Sequence, residues 1–207
     1  MSEILLSTAY LPNIQYIRAI SQNNNVIIEQ FENFPKQSFR NRAQILTTAG
    51  VVNLSIPIIK GNSKHFLKDT KISYSEHWQS QHWHTIVSAY NSSPFFEYFR
   101  DDFEPFFTNK YEFLLDYNLE ITNLICKILH IKSNISLSED YIKENDNNYF
   151  DLRNIIHPKK QQIENENYYK TIIYPQVFDQ KFKFVPNLSI IDMIFNIGFE
   201  AEEIIKK

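Results

Sequence analysis

The sequence has few glycines and a single cysteine, and each shortage excludes classes of protein. The three glycines lie at positions 50, 61 and 198, so neither the GxGxxG pattern of dinucleotide-binding folds nor the GxxxxGK(S/T) phosphate loop occurs. Cys126 has no second cysteine as a partner, which excludes an internal disulfide and a cysteine-rich zinc site. We therefore expect no cofactor and no bound metal.

Long apolar runs are also missing, and we expect no leader sequence. No run approaches the ~20 apolar residues that a membrane-spanning helix needs. The opening MSEILLSTAY has neither a basic start nor the cleavable apolar core of a signal peptide. These observations predict a cytoplasmic protein with no membrane partner.

Aliphatic and aromatic side chains, in contrast, are abundant. Hydrophobic residues make up 43% and aromatic residues 15% of the 207 positions, which is enough to bury a sizeable core. The length fits one domain over residues 1–207. A polar, Asn-rich stretch at 138–170 is interpreted as a long surface excursion of that domain.

Acidic residues are missing from one long segment of a chain whose formal net charge is −3. Residues 33–68 contain six basic side chains and no acidic one, whereas the rest of the chain has 15 basic and 24 acidic residues. A local positive field on a negative body suits a small, phosphate-bearing metabolite, while the negative remainder would repel a long nucleic acid. The alternative is a solvated basic face without a ligand.

Hydrophobic patterns predict strands near the N-terminus. EILLSTAY (3–10) and NVIIEQ (25–30) are short β-rich runs, and PNIQYIRAIS (12–21) between them has apolar residues at helical spacing. SFRNRAQIL and VVNLSIPII flank TTAG, in which Gly50 can adopt the left-handed conformation of a hairpin loop. The N-terminal part is therefore predicted to form a mixed sheet that includes a hairpin over 39–59.

Helical patterns dominate the middle of the chain. An i, i+3, i+4, i+7 stripe runs from Trp83 to Tyr90, after an S-x-x-E helix-start signature at Ser73. Further helices are predicted in SSPFFEYFRDDFEPFF and KYEFLLDYNLEITNLICKILHI, and a short C-terminal helix is capped by Ser189 and ended by Gly198. The predicted fold class is α/β: a mixed sheet with an N-terminal β-hairpin region, packed by a helical middle and a C-terminal helix.

Three cations fall within NFPKQSFRNRAQI (33–45). If this segment is an extended strand, Lys36, Arg40 and Arg42 point to one side, because alternate residues of a strand share a face. Arginine holds phosphate bidentately. We predict that these cations bind the phosphate or carboxylate of a small metabolite, with Asn41 fixing the backbone beside them. The alternative is a charged edge strand that blocks aggregation.

Histidines and one acid are the candidates for proton transfer. His77 and His84 lie seven residues apart on a predicted helix, a rise of about 10.5 Å that is too long for one metal ion. We predict His82 or His84 as a general base, against the alternative of polar residues on a helix rim. Asp192 in LSIIDMIFN is a helix-capping carboxylate, the partner of a buried cation such as Arg42, or an acid/base at a pocket rim.

Five segments of the chain resemble the WbqC-like protein family. They cover most of the chain and are YLPNIQYI (10–17), KQSFRNRAQI (36–45), LSIPI (54–58), W…HW…AYNSSPFFEYF (78–99) and LSIIDMIFNIG (188–198). The chain departs from the family pattern at Gln15, where many relatives have glycine. YLPNIQY is also similar to the strand–proline–helix start of nucleotidylyltransferases, but it lacks their His-x-Gly-His pair, so that chemistry is not carried over.

The resemblance implies a pathway more than a reaction, because the family is associated with gene clusters for bacterial surface polysaccharides such as O-antigen. Together with the charge pattern it favours a transferase that modifies a nucleotide-activated sugar and holds the diphosphate at the cation cluster. Ser7 and Thr8 mark the carboxyl end of the first strand, where ligands of open α/β sheets bind. Tyr10 and Tyr16, which follow, are further candidates for substrate binding.

Two other functional classes remain open. A non-catalytic binding or partner protein of the same pathway would explain why no compact catalytic motif occurs. A nucleic-acid binder is disfavoured by the net charge. The sequence does not decide whether the chain forms a homo-oligomer.

Overall fold

Four short parallel strands form the centre of the fold. The computed structural model describes residues 3–59, 65–144, 146–158 and 171–206. It places Glu3–Leu6 (β1), Asn25–Ile28 (β2), Asn134–Leu137 (β5) and Tyr149–Asp151 (β6) in the order β5-β2-β1-β6. In this register Ile4 lies between Val26 and Phe150. Apart from their first residues and Ile27, the inner strands β1 and β2 are buried, as is usual for parallel sheets.

A short helix provides the crossover from β1 to β2 that parallel pairing requires. This helix, Ile14–Ser21 (α1), begins at Asn13, whose side chain accepts a hydrogen bond from the Tyr16 amide at 2.9 Å. Its apolar residues recur every three positions and are buried. The predicted strand–helix–strand opening is therefore present.

The predicted hairpin is also present, as a separate sheet. Arg42–Thr47 (β3) and Gly50–Ser55 (β4) pair antiparallel around a two-residue loop, with Thr47 opposite Gly50. Gly50 has φ +102°, a conformation that glycine adopts at little cost. The expected mixed sheet thus divides into a parallel four-stranded sheet and this two-stranded one.

In the part of the chain that the structure describes, six further helices and two 3-10 turns cover the sheets. They are Trp78–Tyr90 (α2), Phe96–Phe103 (α3), Leu114–Ile128 (α4), Asp179–Phe182 (α5), Ile190–Ile197 (α6) and Glu200–Lys206 (α7), with 3-10 turns at Leu67–Asp69 and Glu104–Phe107. Helix α2 packs against β3, and α1 packs against α6 and α7. The predicted α/β class, with a helical middle and a C-terminal helix, is confirmed. Among the described residues, no helix has the length and hydropathy needed to cross a bilayer.

One hydrophobic core joins the two ends of the chain. It extends from Ile4 on β1 to Ile205 on α7. Phe195 on α6 packs its ring against those of Tyr90, Phe96 and Phe103. The aromatic richness of the 94–107 stretch is thus used largely for packing.

Three local expectations differ from the structure. The short run KISY (71–74), from which a strand is predicted, forms only isolated bridges, at Lys71 and Ile72. Helix α2 begins after His77 without a side-chain cap, because the Ser73 hydroxyl bonds Ser75 instead. The polar stretch 138–170 supplies β6 to the central sheet, and its residues 159–170 lie outside the described part of the chain.

Candidate functional site

The topology of the parallel sheet indicates one crevice as a candidate ligand site. From β1 the chain passes through α1 to β2 on one side, whereas β6 pairs with β1 on the other side. Ligands of open α/β sheets bind outside the carboxyl ends of the strands at such a switch point. The segments that follow β1 and β6, residues 7–9 and 152–156, border this crevice.

The crevice is narrow, and buried polar side chains line it, those of Ser7, Thr8, Arg40 and Arg153. Its free volume is about 10 Å³, roughly the space of one water molecule. The residues that line it come from β1, α1, the 39–40 turn and the segment after β6, and they are Leu6, Ser7, Thr8, Ala9, Tyr16, Phe39, Arg40, Leu152, Arg153 and Ile156. A ligand larger than water therefore requires the 152–156 segment or the side chains to move.

Arg40 is the first of two buried guanidinium groups in this crevice. Its side chain is 5% exposed and forms a bidentate pair with Glu32, in which Nε donates to Oε1 at 2.7 Å and Nη2 donates to Oε2. Nη2 also donates to the Ser7 hydroxyl. Asn118 donates to the Arg40 carbonyl at 2.7 Å. Within the described chain Nη1 has no hydrogen-bond partner, which makes it the donor of Arg40 that is left for a ligand.

Arg153 is the second buried guanidinium. It donates to both carboxylate oxygens of Asp151, at 2.9 and 2.6 Å, and to the Ile142 carbonyl at 2.9 Å. Burial acts to lower the pKa of Arg153, but the hydrogen bonds and charge of Asp151 outweigh burial and raise the pKa. Arg153 thus stays charged and fixes the loop after β6 to the loop after β5.

Glu29 completes the buried polar network at this edge. It is fully buried and accepts hydrogen bonds from the Phe31 amide at 2.7 Å, the Ser138 hydroxyl at 3.0 Å and the Ile142 amide at 2.8 Å. Its nearest guanidinium nitrogen belongs to Arg153, at 3.6 Å. Each of the four strands is therefore followed by a polar side chain, and these are Ser7, Glu29, Ser138 and Arg153. Glu29 contacts both Ser138 and Arg153, whereas Ser7 accepts a hydrogen bond from Arg40.

This network is not a free positive pocket. Two guanidinium groups face three carboxylates, those of Glu29, Glu32 and Asp151. Charge-assisted bonds of this kind fix positions strongly. What remains for a ligand is the pair of hydroxyls on Ser7 and Thr8 together with Nη1 of Arg40.

The three cations named from the sequence do not share a strand face. Gln37 has φ +56°, which turns the chain, and β3 begins only at Arg42, so the expectation of an extended 36–42 segment is wrong. Lys36 is exposed and Arg40 is buried in its ion pair. Arg42 is half-buried, and its Nε is buried without a partner among the described residues.

Asn41 and Tyr16 hold backbone near the crevice. The Asn41 side chain donates to the Ile56 carbonyl at 2.8 Å and so fixes the base of the hairpin. The Tyr16 hydroxyl donates to the Ser7 carbonyl at 2.8 Å, and burial raises the pKa of Tyr16. Their roles toward a substrate stay predictions.

Tyr10 and His82 form a buried pair behind the crevice. The Tyr10 hydroxyl lies 2.9 Å from Nδ1 of His82, and the two rings stack. Burial lowers the pKa of His82 to about 4, so the imidazole is neutral at neutral pH. Because Tyr10 follows the Ser7–Ala9 turn, the pair anchors one wall of the crevice to α2.

The other two proton-transfer candidates lie elsewhere. His84 is exposed on α2 and lines a groove beside the hairpin loop. Asp192 is buried and accepts hydrogen bonds from the Tyr90 and Tyr174 hydroxyls, at 2.8 and 2.6 Å, and from Gln176 at 3.0 Å. Burial raises its pKa, although these three donors act to lower it. The Asp192 side chain thus holds the 174–176 segment against α6. It does not cap the helix, and Arg42 is not its partner.

Sequence reasoning missed Glu29, Glu32, Asp151 and Arg153. The available signal was positional, since Glu29 follows the run NVII and Asp151 follows the run YF. Polar residues directly after a buried strand mark its carboxyl end. Within the described ranges, no three His, Cys, Asp or Glu side chains are grouped closely enough to hold a metal ion.

Comparison with known proteins finds a matching family and a similar protein. The model of the WbqC-like protein family matches residues 8–169 and 153–204. The chain is similar to "Uncharacterized protein Rv1507c" of Mycobacterium tuberculosis (strain ATCC 25618 / H37Rv), with 24% identity over 228 residues that cover 98% of this chain and 96% of the relative. No solved structure matches the chain.

Proposed function

Since the chain belongs to the WbqC-like protein family, we propose that it is an enzyme of bacterial surface-polysaccharide precursor assembly. The reaction is group transfer to a nucleotide-activated sugar. Support for the pathway comes from the resemblance, because the family is associated with gene clusters for surface polysaccharides such as O-antigen.

The crevice at the switch point is the observation that carries the proposal. It brings together two hydroxyls and a guanidinium nitrogen that has no partner in the described chain. It also lies where α/β folds bind nucleotides. We assign the diphosphate of the substrate to Ser7, Thr8 and Nη1 of Arg40. Lys36, Arg42, Tyr10 and Tyr16 remain predicted contributors to substrate binding.

A wide groove at the same edge has room for the sugar. It lies beyond the carboxyl ends of β2 and β5 and has a volume of about 690 Å³, within the range of ~300–1,000 Å³ that is typical of small-molecule sites. Tyr141 and Tyr149 line it together with the carboxylates of Glu139, Asp140 and Asp146 and the ammonium group of Lys143. Aromatic faces and carboxylates suit a neutral, hydroxyl-bearing ring, whereas three carboxylates against one ammonium group disfavour a second phosphate.

The proton-transfer step is still to be assigned among three residues. His82, His84 and Asp192 lie in three separate places, and none of them lines the crevice. Only His84 is exposed. Loss of turnover with retained binding in one of the variants His82→Gln, His84→Gln or Asp192→Asn would identify the residue.

The second candidate function is a non-catalytic binding or partner protein of the same pathway. It is favoured by the pairing of the buried charges at the crevice and by the small free volume. Such a protein would bind ligand or another pathway protein without converting it.

A thermal-shift screen with nucleotide sugars, acyl-CoA and aminoacyl donors tests the proposal. A ligand at one hundred times its Kd stabilises the folded state by about 2.7 kcal/mol. We expect a nucleotide sugar to raise Tm, and Ser7→Ala and Thr8→Val to reduce the shift. Thr108→Val is the control, because Thr108 is exposed and bonds only its own turn. A full screen without a stabilising nucleotide sugar would contradict the proposal, and binding without turnover would favour the second candidate.

A further inference from the structure

A second groove lies between the hairpin loop and helix α2. Its volume is about 290 Å³, close to the lower limit of small-molecule sites. It is bordered by the end of β3 and by one face of α2. None of its lining residues belongs to the crevice at the carboxyl edge of the parallel sheet.

The lining of this groove is rich in hydrogen-bonding groups and contains no carboxylate. Four hydroxyls and one imidazole border it, and they belong to Thr47, Thr48, His84, Thr85 and Ser88. The Thr47 and Thr85 hydroxyls already donate to the Gly50 and Gln81 carbonyls, so the hydroxyls of Thr48 and Ser88 are the donors left for a ligand. His84 and Ser88 are one helical turn apart and both are exposed, so their side chains share one face of α2. Two apolar residues, Val52 and Ala89, complete the wall.

A lysine on α5 lies beside the hairpin loop, although it is not among the residues that line the groove. Nζ of Lys181 donates to the Thr48 carbonyl at 2.7 Å. The ammonium group is therefore fixed beside the hairpin loop. The groove thus has an imidazole and two hydroxyl donors, with one cation held beside the hairpin loop, on a chain whose net charge is negative.

We infer that this groove binds a small phosphate-bearing ligand. Hydroxyls and imidazole N–H groups donate to phosphate oxygens, the lysine supplies charge, and the absence of a lining carboxylate removes the repulsion that an anion would otherwise meet. The apolar wall at Val52 and Ala89 leaves room for the carbon part of a phosphate monoester. The inference does not depend on the function proposed for the carboxyl edge.

NMR titration of the histidine ring signals tests the inference on the intact chain. The probes are inorganic phosphate and glycerol phosphate, with neutral glycerol as the control ligand. We expect saturable shifts of the His84 signal with both phosphates and none with glycerol, while the His77 signal on the exposed start of α2 stays in place. Tighter binding of the ester would assign the groove to a phosphorylated metabolite, and equal binding would assign it to free phosphate.

Two variants separate the groove from general salt effects. Ser88→Ala and His84→Gln should each weaken phosphate binding by roughly tenfold, the scale of one hydrogen bond to a charged group. Because His84→Gln lacks the reporting ring, its affinity is read from the backbone amide signals of Thr48 and Ser88. His77→Gln, a matched exposed histidine outside the groove, should bind as the parent does. Equal shifts of His77 and His84, no saturable shift at His84, or unchanged affinity in both groove variants would overturn the inference.

Discussion

At the scale of single residues, the buried charges of this molecule are held by several partners each. Glu32 and Arg40 form a bidentate pair whose side chains are 12% and 5% exposed, and Ser7 and Asn118 hold the same arginine further. Removing one partner of such a pair leaves an uncompensated buried charge, whereas removing both does not.

The Glu32–Arg40 pair gives the first prediction. Arg40→Met should destabilise the fold by roughly 3–5 kcal/mol, because Glu32 then keeps a buried charge without its partner. The double variant Glu32→Leu with Arg40→Met should recover a large part of that loss. Urea unfolding of the parent, both single variants and the double variant measures the coupling. Additive effects of the two substitutions would show that the pair is not buried as described.

Asp192 gives the second prediction, which concerns pH. Burial raises its pKa in the folded state, so folding favours the protonated form. The stability that the parent has relative to Asp192→Asn should therefore be greatest below the unfolded-state pKa of about 3.9 and should be lost as pH rises through the raised pKa. Urea unfolding of both proteins from about pH 4 to about pH 7 tests this sign. A difference that grows with pH would contradict it.

The charge pattern of the sequence predicted a basic region but not the partners of its side chains. The segment 33–68 has no acid, but the partner of Arg40 is Glu32, one residue outside that segment. Counting charges along the chain identified a basic region correctly. It could not show that folding turns the chain at Gln37 and brings Arg40 back onto Glu32.

At the scale of elements, helix α6 is defined by its two ends. Ser189 occupies the N-cap position, as predicted, although its hydroxyl makes no cap hydrogen bond. Gly198 ends the helix with φ +59°, and a Cβ there would lie 2.5 Å from the Phe95 ring. The glycine therefore permits both the backbone turn and the close approach of α3.

Glycine substitution gives the third prediction. Gly198→Ala should destabilise the fold by roughly 2–4 kcal/mol, because strain at positive φ adds to overpacking against Phe95. Gly50→Ala is the matched control, since its φ is also positive but the nearest atom to a Cβ is 3.9 Å away. Thermal unfolding should show the larger loss of Tm in Gly198→Ala. An equal or smaller loss would mean that contact with Phe95 has no role.

Glu29 links elements that are distant in sequence and gives the fourth prediction. Glu29→Gln replaces an acceptor oxygen with an NH₂ donor that faces other donors, so the loops after β2 and β5 should loosen. Hydrogen exchange should become faster at the Phe31 and Ile142 amides, while amides in α4 should keep their protection. Unchanged exchange at both loop amides would contradict the role given to Glu29.

Elements whose sequence signals lie within a few residues were predictable, whereas a strand that is defined by pairing with a distant part of the chain was not. The loop glycine of the hairpin and the ends of α6 are encoded within a few residues. β6 is three residues long and pairs with β1, almost 150 positions earlier in the chain. So short a strand carries no periodic signal, and its neighbour in the sheet is set by the packing of the whole chain.

At the scale of the whole molecule, the central sheet gathers distant segments at one edge. The crevice combines residues 6–9 with residues 152–156. The Arg153 side chain joins the second of these segments to the loop after β5, because it donates to the Ile142 carbonyl. Because the free volume is so small, a ligand in this crevice requires the 152–156 segment or the lining side chains to move. We expect the segment to move, because it follows β6, a short strand at the edge of the sheet. Binding should therefore change the backbone there even if α2 and α4 do not move.

The most direct test of the carboxyl-edge site is hydrogen exchange with and without the nucleotide sugar that raises Tm most. The site predicts protection of peptides covering residues 7–10 and altered exchange over 152–156, with little change in α4. The effect should decrease in Ser7→Ala and persist in Thr108→Val. A stabilising nucleotide sugar that left both segments unchanged, and protected another surface instead, would contradict the assignment of the site.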